Sequence, residues 1–146
     1  MKNEFVKEYE WLKNYRIRLD DAVEEEELKS LNEEFHKFES EMKSEKGILY
    51  TRFFWNYVNS MDVHNDRIDF DNVIWDHNVE LFVSELKKVD INEFTFSSTS
   101  DNAIEIAWLL QKHGCTLKGV VEINNQYPYR EYDENGKIHA LLFTIS

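Results

Sequence analysis

The C-terminal stretch Ile91–Ser146 constrains the fold most, because its hydrophobic residues change from alternating to helical spacing and back again. Phe94–Phe96 alternates apolar and polar side chains, as a strand does. A helical stripe follows, and Gly114 is a residue type that commonly ends helices. That stripe consists of Ala103, Ile106, Ala107 and Leu110. Two further strands, Thr116–Ile123 and Lys137–Ile145, flank an Asn-Gly turn signal. The stretch therefore predicts a β-α-β-β unit.

The hydrophobic residues before this unit recur at intervals of three and four, which is typical of amphipathic helices. Asp21 and Glu24 have the spacing of a capping box at a helix start, and Gly47 is expected to end that helix. The helix carries a coiled-coil-like seam of Leu28, Leu31, Phe35, Phe38 and Met42. The seam predicts packing within the chain or, alternatively, contact with a second copy. Aromatic residues on several faces of Ile48–Met61 predict a third, buried helix.

These patterns predict an α+β fold: an N-terminal helical hairpin or bundle at residues 1–62, then a small sheet at residues 67–146 that ends in the β-α-β-β unit. Ile68–Phe70 predicts a further short strand, and His77–Val89 predicts a helix with Asp76 as its N-cap. A boundary is expected near Asp62–Asp66, with one compact domain overall as the alternative.

The charge balance excludes some classes of partner. The chain has 29 acidic and 17 basic residues, a net charge of −12. Direct binding of nucleic acid or of an anionic membrane surface is not expected, because both require clustered Lys and Arg. An acidic chain suits a basic protein partner, although solubility alone also explains the charge. A single cysteine, no signal peptide and no apolar run of membrane-spanning length predict a cytoplasmic protein.

Two segments have the composition of a partner-binding surface. Four consecutive acids, Glu24, Glu25, Glu26 and Glu27, are predicted at a helix start. A hairpin loop carries three tyrosines and an arginine, residue types enriched at binding hot spots: Tyr127, Tyr129, Arg130 and Tyr132. The alternative for this loop is a strand extension that packs its tyrosines on the sheet.

Catalytic and metal-binding patterns are weak. Ser97–Ser100 precedes a helix and could hold an anion, but capping explains its hydroxyl groups better, since no Gly or Lys accompanies them. Asp62–His77 gathers acids and imidazoles without the spacing of a calcium loop or a zinc hydrolase. Cys115 has no evident base and orienting group, so a structural thiol is expected. No catalytic residue, metal or cofactor is therefore predicted.

The C-terminal region resembles a group of small uncharacterised acidic proteins from plasmids, phages and integrative elements of Firmicutes. The match covers roughly Ile68–Ser146 and rests on the pattern DNVIWD, EFTFSST, AWLLQKHGC, VEIN and HALLF. The resemblance implies a mobile-element setting, in which small acidic proteins are often inhibitors of bacterial defence, including anti-CRISPR proteins. It implies no catalytic residues.

Three functions are consistent with these patterns. The leading hypothesis is a non-enzymatic, anti-CRISPR-like inhibitor of a defence nuclease, such as a Cas nuclease, that occupies its basic nucleic-acid channel. The second is a small ligand- or metal-binding enzyme that uses Ser97–Ser100 and Asp62–His77. The third is a regulatory protein of a mobile element that forms a homodimer through the Leu28–Met42 seam.

Overall fold

The computed structural model describes residues 3–71, 74, 76–130 and 134–145. These residues form two compact units, which divide between Phe54 and Trp55. The architecture is α+β, with helices first and a four-stranded mixed sheet interleaved with short helices afterwards, as the sequence predicts.

The first unit is helical. It contains α1 (Asn3–Asp21), α2 (Glu25–Lys46) and the start of α3 (Ile48–Asp62). Aromatic side chains join these helices: the ring of Phe5 stacks on Tyr50 at 4.9 Å between centroids, and Trp11 stacks on Phe38 at 3.9 Å. The seam of α2 therefore packs against α1 within the chain; the homodimer remains a prediction.

The α1–α2 connection differs from the predicted capping box. α1 continues through Asp21, so this residue cannot be the N-cap of α2. Glu24 occupies the N-cap position, and its side chain makes no capping hydrogen bond to the described residues. The prediction was wrong because the helical pattern of α1 extends further than its apolar stripe. Gly47 ends α2 as predicted, with a φ of 95° that favours glycine.

The second unit contains the sheet. Its strands are β1 (Asp69–Phe70), β2 (Glu93–Phe96), β3 (Cys115–Asn124) and β4 (Lys137–Ile145), in the spatial order β1-β2-β4-β3. β1 is parallel to β2, and the other pairs are antiparallel. The predicted β-α-β-β unit is confirmed as β2-α5-β3-β4.

Two helices accompany the sheet: α4 (Val79–Lys88), preceded by a 3-10 turn at Asp76–Asn78, and α5 (Ala103–Lys112). α4 starts two residues later than predicted, and its N-cap is Asn78 rather than Asp76. The rings of Phe70, Phe82 and Phe94 meet edge to face at 4.9–6.0 Å, which packs α4 on one face of the sheet.

The register assigns residues to the two faces. Phe96, Leu141 and Val120 form one cross-strand row on the face that α4 packs against. Residues one position away in the strands, including Asp69 and Thr95, point to the opposite face. The odd and even positions of these short strands therefore separate an aromatic face from a face that carries buried polar groups.

Candidate functional site

A buried carboxylate lies where β1 and β2 pair. Asp69 is fully buried, and its Oδ1 accepts a hydrogen bond from Thr95 Oγ1 at 2.6 Å. Its Oδ2 accepts from Ser97 Oγ and from Tyr127 Oη, each at 2.5 Å. Three hydroxyl groups from two separate segments thus converge on one acid, which ties the Tyr127 loop to the end of the β1–β2 pair.

Burial governs the titration of this cluster. Desolvation raises the pKa of Asp69 to about 6, although the hydroxyl donors and the Arg130 charge act in the opposite direction. Burial also raises the pKa of Tyr127 far above its ordinary value, and the neighbouring Asp69 charge adds to this shift. Tyr127 therefore stays a neutral hydroxyl donor at any physiological pH.

A second acid, Asp71, lies directly after the end of β1. Asp71 Oδ2 accepts hydrogen bonds from Tyr129 Oη and from Arg130 Nη2, the latter at 3.0 Å. Arg130 Nη1 also donates to the carbonyl oxygen of Ser97, and its guanidinium lies 4.7 Å from the ring centroid of Tyr127. The side chains of Arg130 and Asp71 are 8% and 4% exposed, so this is a buried ion pair.

The buried pair is incompletely satisfied. Asp71 Oδ1 and Arg130 Nε have no hydrogen-bond partner among the described residues. Burial raises the pKa of the Tyr129 hydroxyl to about 12, with its hydrogen bond to Asp71 as the next cause. Tyr129 is nevertheless 67% exposed, so much of this residue remains accessible for contacts.

The tyrosine loop is therefore mainly a structural connection. Tyr127 and Arg130 point into the molecule, contrary to the exposed loop predicted, because Asp69 and Asp71 attract their polar groups. Only Tyr129 among the described members has the expected exposure. Tyr132 lies outside the described residues. A direct contact of this loop with a partner remains a prediction.

An open groove of about 1040 Å³ lies beside this cluster. One wall is α5, which contributes Ile104, Ala107 and Trp108, and the floor is the sheet at Val120 and Leu141. The polar rim is formed by Ser97, Ser98, Thr99, Arg130, Lys137 and His139. A groove of this volume can accommodate a small organic molecule.

The end of the helical hairpin is a second candidate surface. Glu24, Glu25, Glu26 and Glu27 are all exposed, as the sequence predicts for an acidic helix start. Large apolar side chains are exposed in the same segment: Ile17 (60%), Leu19 (38%), Val23 (87%) and Leu28 (40%). We call residues 16–28 the hairpin tip. Acids and exposed apolar side chains together are typical of a protein-binding surface.

A family model, described as a domain of unknown function (DUF7698), matches residues 52–145. The chain belongs to the DUF7698 family. No curated protein and no solved structure matches it. The match includes the sheet, the buried acids and the groove, whereas the hairpin tip precedes it.

The other segments considered for chemistry in this DUF7698 chain have structural contacts. The hydroxyl of Ser97 donates to Asp69 rather than capping α5, whose N-cap is Asn102. The described residues contain no group of three or more His, Cys, Asp or Glu side chains placed to hold a metal ion. Burial raises the pKa of Cys115 to about 11, so its thiol stays protonated at neutral pH. No described helix is long and apolar enough to cross a membrane.

Sequence reasoning missed the pairing of the two acids with the tyrosine loop. The signal was present in Asp69-Phe70-Asp71, because alternation in a strand places both carboxylates on the side opposite Phe70. Two acids on a sheet face require buried donors, and Tyr127, Tyr129 and Arg130 are the donors that meet them.

The raised pKa of Asp69 predicts a pH-dependent stability. Since its folded pKa of about 6 exceeds the ordinary value of 3.8, this group contributes stability that is complete below 3.8 and lost as pH rises through 6. We expect the free energy of unfolding to increase by about 1 kcal/mol from pH 7 to pH 5. Urea unfolding at several pH values measures this.

The matched variants are Asp69→Asn, which removes the titrating group, and Asp66→Asn, which changes an exposed acid three residues before it. The increase should disappear in Asp69→Asn and persist in Asp66→Asn. An increase of equal size in both variants would assign it to the general acidity of the chain.

Proposed function

We propose that this DUF7698 protein is a non-enzymatic binding protein that inhibits a bacterial defence nuclease by occupying its basic nucleic-acid channel. The proposed setting is the cytoplasm of a bacterium that carries a plasmid, phage or integrative element, and a Cas nuclease is the proposed target class. The observation that supports it best is the hairpin tip, where exposed apolar side chains lie among exposed acids.

The composition of the tip suits a partner that normally binds phosphates. Residues 16–28 contain six acids, Asp20, Asp21 and Glu24–Glu27, against the two arginines Arg16 and Arg18. Arg18 Nη1 and Nη2 each donate to Glu34 at 2.8 Å, so its charge is matched within the hairpin. The six carboxylates of the tip can present negative charge to a basic channel, which speeds association and selects the partner.

The exposed apolar side chains of the hairpin tip can add binding free energy beyond that of the charges. Val23 is 87% exposed and lies directly before the acidic run, and Ile17 is 60% exposed on α1. Burying such side chains against a partner contributes about 1.5–3 kcal/mol each when burial is complete. Electrostatic attraction then steers the encounter, while apolar contacts slow dissociation.

The experiment is a cleavage assay with a purified Cas nuclease, its guide RNA and a target DNA. We expect cleavage to stop when the protein reaches a stoichiometric ratio to the nuclease, and pre-binding of DNA to protect the nuclease from inhibition. Full cleavage at a large excess of the protein, across representative nuclease types, would contradict the proposed function.

A further inference from the structure

We propose that β3 is the contact strand of a homodimer: its free edge pairs in antiparallel orientation with β3 of a second copy of the chain, about a two-fold axis at Val120. The sheets of the two copies then form one continuous sheet. This surface is separate from the hairpin tip and does not depend on the proposed nuclease partner. It also differs from the seam of α2, which packs within the chain.

The position of β3 in the sheet leaves one of its sides open. The strand order β1-β2-β4-β3 makes β3 an edge strand. It is 10 residues long and pairs with β4 along one side, whereas the opposite edge strand, β1, has only 2 residues. A long edge strand presents a row of peptide N–H and C=O groups that can pair with another strand. Of the two edges, β3 is therefore the one suited to pairing.

The hydrogen bonds of Asn124 show which backbone groups of β3 face outwards. Its amide and its carbonyl oxygen bind the side chain of Asn65, at 2.9 Å and 3.0 Å, on the side away from β4. Since the direction of the backbone groups alternates along a strand, those of Glu122 and Val120 face outwards as well. Among the described residues, no group binds the outward amide or carbonyl group of either residue. Both residues are thus free to pair with another strand.

Two features limit the length of the free edge. Asn65 occupies the backbone groups of Asn124 and ends the edge there. Towards the start of the strand, a β-bulge makes Lys118 an extra residue opposite β4. Lysines and bulges at sheet edges oppose unspecific pairing, so they restrict the partner rather than invite any strand. Val120 lies near the middle of the segment that remains.

Two charged side chains of this segment select a second copy as the partner. Lys118 and Glu122 are both exposed, and neither has an ion-pair partner among the described residues. Because they lie two positions before and after Val120, antiparallel pairing about that residue brings each lysine close to the glutamate of the other copy. The flexible four-carbon stem of lysine can span the offset that the bulge adds. Parallel pairing would instead place like charges together.

An exposed apolar side chain lies at the proposed axis. Val120 is 66% exposed, and in the dimer it meets its own copy, a β-branched pair of the kind that stabilises neighbouring strands. Leu117, 38% exposed, lies on the same face of the sheet, because the two residues pair with Phe143 and Leu141 of β4. The contact is short, so we expect a weak dimer rather than an obligate one.

Sedimentation equilibrium of the full-length protein tests the dimer. We expect the apparent mass to rise from that of one chain to that of two as concentration increases, with a Kd of about 10–100 µM. An apparent mass that stays at the monomer value up to about 1 mM would overturn the proposal.

Charge-swap variants locate the contact. Lys118→Glu places acids close together on both sides of the axis, so it should weaken the dimer by about tenfold. The double variant Lys118→Glu with Glu122→Lys restores opposite charges and should recover the original affinity. Lys87→Glu changes the net charge equally at an exposed position of α4 and should have no effect. Equal weakening by the two single variants, or no recovery in the double variant, would overturn the proposed contact.

Val120→Pro tests the backbone pairing itself. Proline removes the amide that faces outwards and leaves the hydrogen bonds to β4 in place, so the dimer should be lost at all concentrations measured. Near-ultraviolet circular dichroism checks that the variant keeps its fold. A folded Val120→Pro variant that dimerises with unchanged affinity would overturn the pairing of β3, and the charge-swap variants decide the matter if this variant does not fold.

Discussion

Replacing Arg130 by methionine is expected to destabilise the protein by about 3–5 kcal/mol, because it leaves Asp71 as a buried carboxylate without its cation. The substitution also removes the hydrogen bond to the Ser97 carbonyl oxygen and the contact with the ring of Tyr127. Since a small protein is typically stable by only 5–15 kcal/mol, such a loss is a large part of the total. Urea unfolding measures it.

The matched control is Arg67→Met. Arg67 pairs with Glu93, and their side chains are 37% and 43% exposed, so solvent screens the pair. Its loss should cost less than about 1 kcal/mol. The double variant Arg130→Met with Asp71→Asn should recover part of the stability, because it removes the unpaired charge. Equal costs in Arg130→Met and Arg67→Met would contradict a buried ion pair at Asp71.

Removing the acidic run of the hairpin tip is expected to have the largest effect on binding. Changing Glu24, Glu25, Glu26 and Glu27 together to Gln should weaken binding to the nuclease by about a hundredfold, if each charge contributes about 0.7 kcal/mol to the complex. The effect should appear mainly in the association rate, and it should shrink as salt is raised. Isothermal titration calorimetry measures the affinity, and surface plasmon resonance measures the association rate at several salt concentrations.

The control variant changes four exposed acids elsewhere in the helical unit to Gln: Glu10, Glu33, Glu41 and Glu45. It alters the net charge of the chain by the same amount, so it separates a local surface from a general charge effect. An equal loss of affinity in the two variants would show that the tip has no special role. The thermal midpoints of both variants are compared as well, because acids stabilise the first turn of α2.

The two units differ in how much of their structure the sequence predicts. The helical seam and the β-α-β-β unit are predictable from periodicity, because apolar residues such as Leu31 and Phe94 are buried in the fold. Helix boundaries were less predictable. α1 continues to Asp21, but a polar residue in an exposed last turn leaves no apolar signal from which this boundary could be predicted. Local hydrogen bonds rather than periodicity set such ends.

The candidate site was harder to predict, because it depends on residues far apart in the sequence. The composition of the tyrosine loop was recognised, but its direction was not. Tyr127 turns inwards because its hydroxyl group donates a hydrogen bond to Asp69, a residue that lies 58 positions earlier in the sequence. The groove likewise results from strand order, which places Val120 beside Leu141 and leaves α5 at one side. Composition alone contains neither relationship.

Hydrogen exchange of the protein with and without the nuclease tests the central claim most directly, because it reports which backbone amides a partner protects. The account predicts slower exchange at residues 16–28, the hairpin tip, with little change around Ile104 and Trp108 in the groove. Slower exchange confined to the groove, with an unchanged hairpin tip, would contradict the assignment of the partner surface.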